Sequence, residues 1–194
     1  MMTAATINSY IELLNEMRAH HKKCVREESA TKTTPSEHLR SLHASAIKGG
    51  QKELTEPSVV LLQASAKGKG GAHAEDSQRG LTVATTEFKN SGSSNVDEYK
   101  KKLDKLREKD KKNAEEHIDK MYDEAIVEIE NHPESASAVV GFMEAFGGKF
   151  NEVLNTVKTF IMDLAKNIMK WVGEVFSKIK DTFNKVVGFI SGWF

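Results

Sequence analysis

The chain has 194 residues, enough for one domain or two. Lys plus Arg and Asp plus Glu number 28 each, so no bulk basic field directs it to nucleic acid, which is an unlikely partner. A mean hydropathy of −0.48 with 7% aromatics is low for a chain with one full-length core, and the single cysteine, Cys24, excludes an intramolecular disulfide framework.

The opening Met1-Met2-Thr3-Ala4 carries neither the charged nor the apolar segment of a secretory signal. The expectation is cytoplasmic synthesis without a signal peptide, followed by peripheral membrane attachment or leaderless secretion. Residues 6–28 read as an amphipathic helix, with Ile7, Tyr10, Ile11, Leu14 and Met17 three and four apart, fading into His20-His21-Lys22-Lys23. A polar linker over 29–34 leads to Thr34-Pro35-Ser36-Glu37, a capping box with Pro at the first helical position. That second helix would carry Leu39, Leu42, Ala46 and Ile47 and stop at Gly49-Gly50. Thr55-Glu56-Pro57-Ser58 then precedes Val59-Val60-Leu61-Leu62, a short third helix or, alternatively, a four-residue buried strand. Residues 1–66 thus form a small helical unit.

From 67 to 95 the composition shifts to Gly68, Gly70, Gly71, Gly80 and Gly92 with a Ser/Asn cluster, which predicts a flexible, disordered linker with at most a short strand over 81–88. Asn95 or Ser94 caps the next helix, a charged one over 96–132 that ends at His132-Pro133. Its apolar stripe is narrow, and Asp110 stands where an apolar residue belongs. Residues 100–112 carry a net charge of +5 and residues 113–132 a net charge of −6. That order opposes the helix dipole and would suit an antiparallel copy of itself, or a solvated helix with no partner.

The final region, 133–194, is amphipathic. Pro133 restarts a helix through Ala136, Val139, Val140, Phe142, Met143 and Phe146, and Gly147-Gly148 reads as a hinge. From Phe150 to Phe194 thirteen apolar residues recur at three or four, a mean period of 3.67 over 44 residues. This is a helical period, longer than the 3.5 of a left-handed coiled coil. The apolar arc is close to half the circumference, with Trp171 and Trp193 on its shoulders, and a bend is expected near Gly173. The longest uncharged run here is nine residues, Val186 to Phe194, far below the ~20 that span a bilayer. A bundle with the helices at 97–131 and 6–28 would bury part of this face, but their apolar surface is too small to cover all of it, so lipid or further copies are expected to supply the remainder.

No catalytic or metal constellation stands out. His20-His21, His38 and His43 lack a completing ligand set. Cys24 has basic neighbours but no readable base pair, and Gly68-Lys69-Gly70-Gly71 lacks the spacing of a phosphate loop. No enzyme activity, cofactor or metal is expected. The segment Phe160–Val187, with Ile161-Met162-Asp163-Leu164-Ala165-Lys166 and Ile179-Lys180-Asp181-Thr182, resembles in composition and face pattern the short cytolytic amphipathic peptides that some bacteria secrete. The resemblance covers under 30 residues and carries no diagnostic motif.

The fold expected is all-α: a small N-terminal helical unit, a disordered linker, a long charged helix and a long C-terminal amphipathic helix. The function expected is association with a lipid bilayer surface, with pore formation or bilayer disruption after homo-oligomerisation. Phe150, Ile161, Ile168, Trp171, Phe176, Phe183, Phe189 and Trp193 would insert; Lys166, Lys170, Lys178 and Lys185 would meet headgroups. The alternative is a self-assembling scaffold with the same face buried in a helical oligomer.

Overall fold

The computed structural model describes residues 3–27 and 56–194. The expected linker 29–34 and the helix expected from Pro35 to Ile47 lie outside them. The chain is all-α; among the described residues there are five α-helices, one 3-10 turn and no strand.

Helix α1 spans Ala4–Arg26, capped by the Thr3 hydroxyl, which accepts from the Thr6 N–H at 3.3 Å. Its stripe continues beyond the point where the sequence fades: Leu13, Leu14, Met17, His21, Cys24 and Val25 are all buried. Helix α2 spans Pro57–Asn90 and corrects the largest sequence expectation, because 67–90 is helix and neither linker nor strand. Its inward positions are Val59, Leu62, Ala66, Gly70, Ala74, Ser77, Leu81, Ala84 and Phe88, spaced three or four apart. Half of that stripe is small or polar, so it is invisible to a hydropathy count. Each interior Gly costs about 1 kcal/mol of helix propensity relative to Ala. Two of them return it by close approach. A methyl on Gly70 would stand 3.0 Å from the Trp193 ring, and one on Gly80 would stand 2.7 Å from Leu106 Cδ2.

A turn through Gly92 (φ +73°) and Ser93 (φ 56°) reverses the chain. Asn95 caps α3, Val96–Asn131, its side-chain oxygen accepting from the Glu98 N–H at 3.1 Å. Helices α2 and α3 form an antiparallel hairpin. Phe88 stacks on Tyr99 near the turn, with ring centroids 4.6 Å apart, and Ser65 donates to Glu124 at the far end. Asp110, out of place on the apolar stripe of α3, has its partners on the polar part of the α2 stripe. It accepts from the Ser77 hydroxyl, and its carboxylate lies 3.4 Å from His73 Nε2.

The segregated charge of α3 is answered by α1. Arg18 meets Asp123 at 2.7 Å, Lys22 meets Asp119 at 2.5 Å and Arg26 meets Glu115 at 2.7 Å, an antiparallel ladder with one rung per helical turn. From α2, Lys69 adds a 2.6 Å contact to Glu124. The acidic half of α3 therefore faces basic residues of this same chain.

His132 leaves the helical region (φ −133°, ψ 69°), which a following proline disfavours, and a 3-10 turn, Pro133–Ser135, leads into α4, Ala136–Trp171. Gly147-Gly148, expected as a hinge, lies in unbroken helix. The chain breaks instead at Val172–Glu174, beside Gly173, and α5, Val175–Ser191, folds back antiparallel on α4. Phe160 meets Phe183, Phe146 meets Trp193 and Phe142 meets Phe194 across this hairpin. Helix α4 is the hub and touches α1, α2, α3 and α5; among the described residues α5 packs mainly on α2 and α4.

The apolar face of 150–194 is covered by the chain itself. Phe150, Val153, Val157, Ile161, Leu164, Ile168, Val175, Ile179, Phe183, Val186, Ile190 and Trp193 are buried. The expectation that lipid or another copy must complete the cover is thereby corrected for this form. The extra surface comes from α2, whose small residues let backbones approach and whose stretch 67–90 reads in sequence as linker.

Candidate membrane-contacting face

The α4–α5 hairpin carries every residue expected to meet lipid. Five of the eight expected to insert are buried: Phe150, Ile161, Ile168, Phe183 and Trp193. Trp171 is half-buried, while Phe176 is 37% and Phe189 39% exposed. The structure thus divides the set into a stored face and a displayed rim. The rim follows from the wheel: with Phe183 inward, Phe176 and Val187 fall on one shoulder of α5 and Phe189 on the other. Val187 is exposed, and Met169 is exposed at the end of α4.

Lysines stand over the rim aromatics. Lys178 Nζ lies 4.8 Å from the centre of the Trp171 ring and also bridges Glu174 at 3.5 Å. Lys89, from α2, lies 5.1 Å from the Phe176 ring. Lys149, from α4, lies 5.9 Å from Phe189 and 5.4 Å from Phe194. Such contacts are worth about 0.5–1 kcal/mol each at exposed sites. Lys166, Lys170 and Lys185 are exposed. Lys89 and Lys149 were not legible as part of this surface, because one lies on another helix and the other before the terminal stripe begins.

Trp193 is the largest fully buried side chain, and its indole N–H has no hydrogen-bond partner among the described residues. A buried donor left unpaired costs about 1–3 kcal/mol.

Polar residues are also buried around α4. His21 shares a 2.7 Å hydrogen bond with the Tyr122 hydroxyl. Burial, with His20 next in effect, holds the His21 pKa down at about 4, and burial drives the Tyr122 hydroxyl upward. His117 is also held down at about 4, first by burial and then by His73, Lys120 and Lys69. Neither ring nitrogen of His73 nor Nδ1 of His117 has a hydrogen-bond partner among the described residues. Sequence reading passed over His73 and His117; the one available signal was that His73 falls on the inward face of α2 once Gly70 and Ser77 are accepted as core. Cys24 is buried with its sulfur 3.7 Å from His20 Nε2.

Among the described residues no group of three or more His, Cys, Asp or Glu side chains could hold a metal ion, and no helix is long and apolar enough to cross a membrane. No protein-family model matches the chain, and no curated protein or solved structure does so either.

Proposed function

We propose that this chain is a membrane-active helical protein that keeps its lipid-seeking face folded inside its own bundle. The observation that carries the reading is the aromatic and basic rim of the α4–α5 hairpin. Trp171, Phe176 and Phe189 are displayed under Lys178, Lys89 and Lys149, a pairing that suits the boundary between anionic headgroups and acyl chains. The rim makes first contact in the closed form. The hairpin then separates from α1, α2 and α3, and the stored face follows it into the bilayer. Helix α5 moves most readily, since among the described residues it packs mainly on two helices while α4 touches four.

An interfacial, in-plane mode fits better than a span, because no helix reaches spanning hydropathy among the described residues. Assembly into an oligomer, and any pore, would follow opening. The scaffold alternative loses its original motive, because the face it was to bury between copies is already buried within one.

The test is co-flotation and dye release with vesicles containing anionic lipid, against purely zwitterionic ones, using the full chain at pH 7.5 and pH 5. The wild type is expected to float with the anionic vesicles and release dye. Phe176→Ser with Phe189→Ser should reduce both several-fold while leaving the thermal transition in place, since both rings are already partly in water. A wild type that neither floats nor releases dye at either pH would overturn the reading.

A further inference from the structure

Three helices each place a histidine against the same turn of α4. The His21 ring of α1 lies over Gly147 so closely that a methyl there would overlap it. The His73 ring of α2 and the His117 ring of α3 meet Phe150 edge-on, with centroids 5.6 and 6.4 Å away. These two rings also pack against each other at 5.8 Å and 85°. Gly147 and Phe150 are three residues apart, one turn of helix. We propose that this collar of His21, His73 and His117 is an acid-operated latch on α4: protonation of His21 and His117 releases the α4–α5 hairpin. Its consequence for lipid rests on the membrane reading above; the opening itself does not.

The charges around the collar decide which rings can carry a proton in the closed form. Around His21 stand His20 on its own helix, Tyr122 of α3, Arg18 with its guanidinium 5.8 Å from the centre of the Tyr122 ring, and Glu144 of α4, whose charge reaches Tyr122. Arg18 is itself paired to Asp123. The only hydrogen bond His21 makes among the described residues that involves a side chain is to a neutral hydroxyl. Around His117 stand His73 and Lys69 of α2, Lys120 of α3 and, at the weak end, Asp76 of α2. Around His73 stand Asp110 of α3, Ser77 of its own helix, and His117. A proton on His21 or His117 is added among cations or in an apolar surround, and those two rings force the opening.

The sign follows from burial. In the closed form His21 and His117 are held at about 4, against 6.5 for a histidine in water. The open form therefore binds protons more readily, and acidification favours it progressively from pH 6.5 toward 4. The ion pairs open in a lower window. Glu115 is held below the usual carboxylate range by its hydrogen bonds from Arg26, and Glu124 by Lys69 and Ser65 against opposing burial. Loss of those pairs begins only where carboxylates protonate.

The experiment follows the full chain without lipid from pH 8 to pH 4, by tryptophan emission, far-ultraviolet circular dichroism and histidine ring resonances. The wild type should show a red shift as Trp193 leaves its site between pH 6.5 and 4, with helix content retained. His21→Gln with His117→Gln, which keeps a polar group near Tyr122 but cannot be protonated, should move that midpoint down by about one pH unit. An unchanged midpoint overturns the latch, as do wild-type His21 and His117 rings that titrate near 6.5 while Trp193 remains buried. If the double variant fails to fold, the wild-type ring titration decides alone. Vesicle flotation separates the two readings. A wild type that opens in acid with the expected variant shift but never floats keeps the latch and removes the membrane role. Equal flotation at pH 7.5 and pH 5 keeps the membrane role and overturns its control by the latch.

Discussion

At the scale of single residues the fold turns on glycines that look alike in sequence and do different things. Gly147 and Gly148 are adjacent on α4, yet a Cβ on the first would enter the His21 ring and a Cβ on the second meets nothing within 4 Å. Gly147→Ala should cost roughly 1–3 kcal/mol, the usual range for overpacking. Gly148→Ala should gain about 0.5–1 kcal/mol by removing backbone freedom from the unfolded chain. Urea denaturation of the two variants checks the pair, and equal midpoints would contradict the placement of His21. A hinge at 147–148 would instead make both substitutions matter for motion and neither for packing. Trp193 shows the same limit of sequence. Its place on the shoulder of the stripe marks it for insertion into lipid. Fully buried on Gly70, it should now cost the bundle about 3–5 kcal/mol on truncation, as large core residues do.

At the scale of elements, what was legible depended on how each helix buries itself. The amphipathic stripe of 150–194, the Asn95 cap and the stop at His132-Pro133 all stood in the sequence because large apolar side chains and local backbone chemistry announce them. The charged helix was legible as a helix but not in its company: nothing in 113–132 says that the ladder of Asp123, Asp119 and Glu115 faces α1 and not a second copy. Helix α2 was legible only as a short helix at its start, because beyond Leu62 its inward face uses Ala66, Gly70, Ala74, Ser77 and Ala84. Its stability is tertiary, and propensity alone points the other way. That makes a direct test of its helicity. Gly68 and Gly71 have open space where a Cβ would go, so Gly68→Ala with Gly71→Ala should stabilise the chain by roughly 1–2 kcal/mol in total. A pair of substitutions in a flexible linker would leave the urea midpoint unmoved. The ladder between α1 and α3 should respond to salt, since its pairs are partly exposed and exposed pairs are each worth about 0.2–1 kcal/mol. Reversing Glu115 and Asp119 to Lys should loosen α1 and raise hydrogen exchange across Leu13–Met17, with less change at α5, whose main contacts are with α2 and α4.

At the scale of the whole molecule the proposed membrane role would give the same apolar face two competing covers, the chain's own helices and lipid, and would link the two thermodynamically. If only the opened form inserts, the apparent affinity for a bilayer is the intrinsic affinity multiplied by the open fraction. Closed-state stability and membrane activity must then move in opposite directions, with about 1.4 kcal/mol for each tenfold. Variants confined to α2 test this without altering the hairpin that would enter the bilayer. Gly68→Ala with Gly71→Ala tightens the closed form and should weaken flotation with anionic vesicles by roughly tenfold, given its ~1–2 kcal/mol. Leu62→Ala empties a buried site and costs about 2–5 kcal/mol; as long as the chain remains folded at neutral pH, it should bind vesicles more tightly and at higher pH than the wild type. The exposed pair Phe176 and Phe189 should behave differently, because their loss lowers the intrinsic affinity and leaves the opening untouched. A plot of log apparent affinity against urea midpoint should therefore put the α2 variants on one descending line and the rim variants below it. If the α2 variants scatter with no slope, binding proceeds from the closed form through the rim alone, and the stored face has only a structural role.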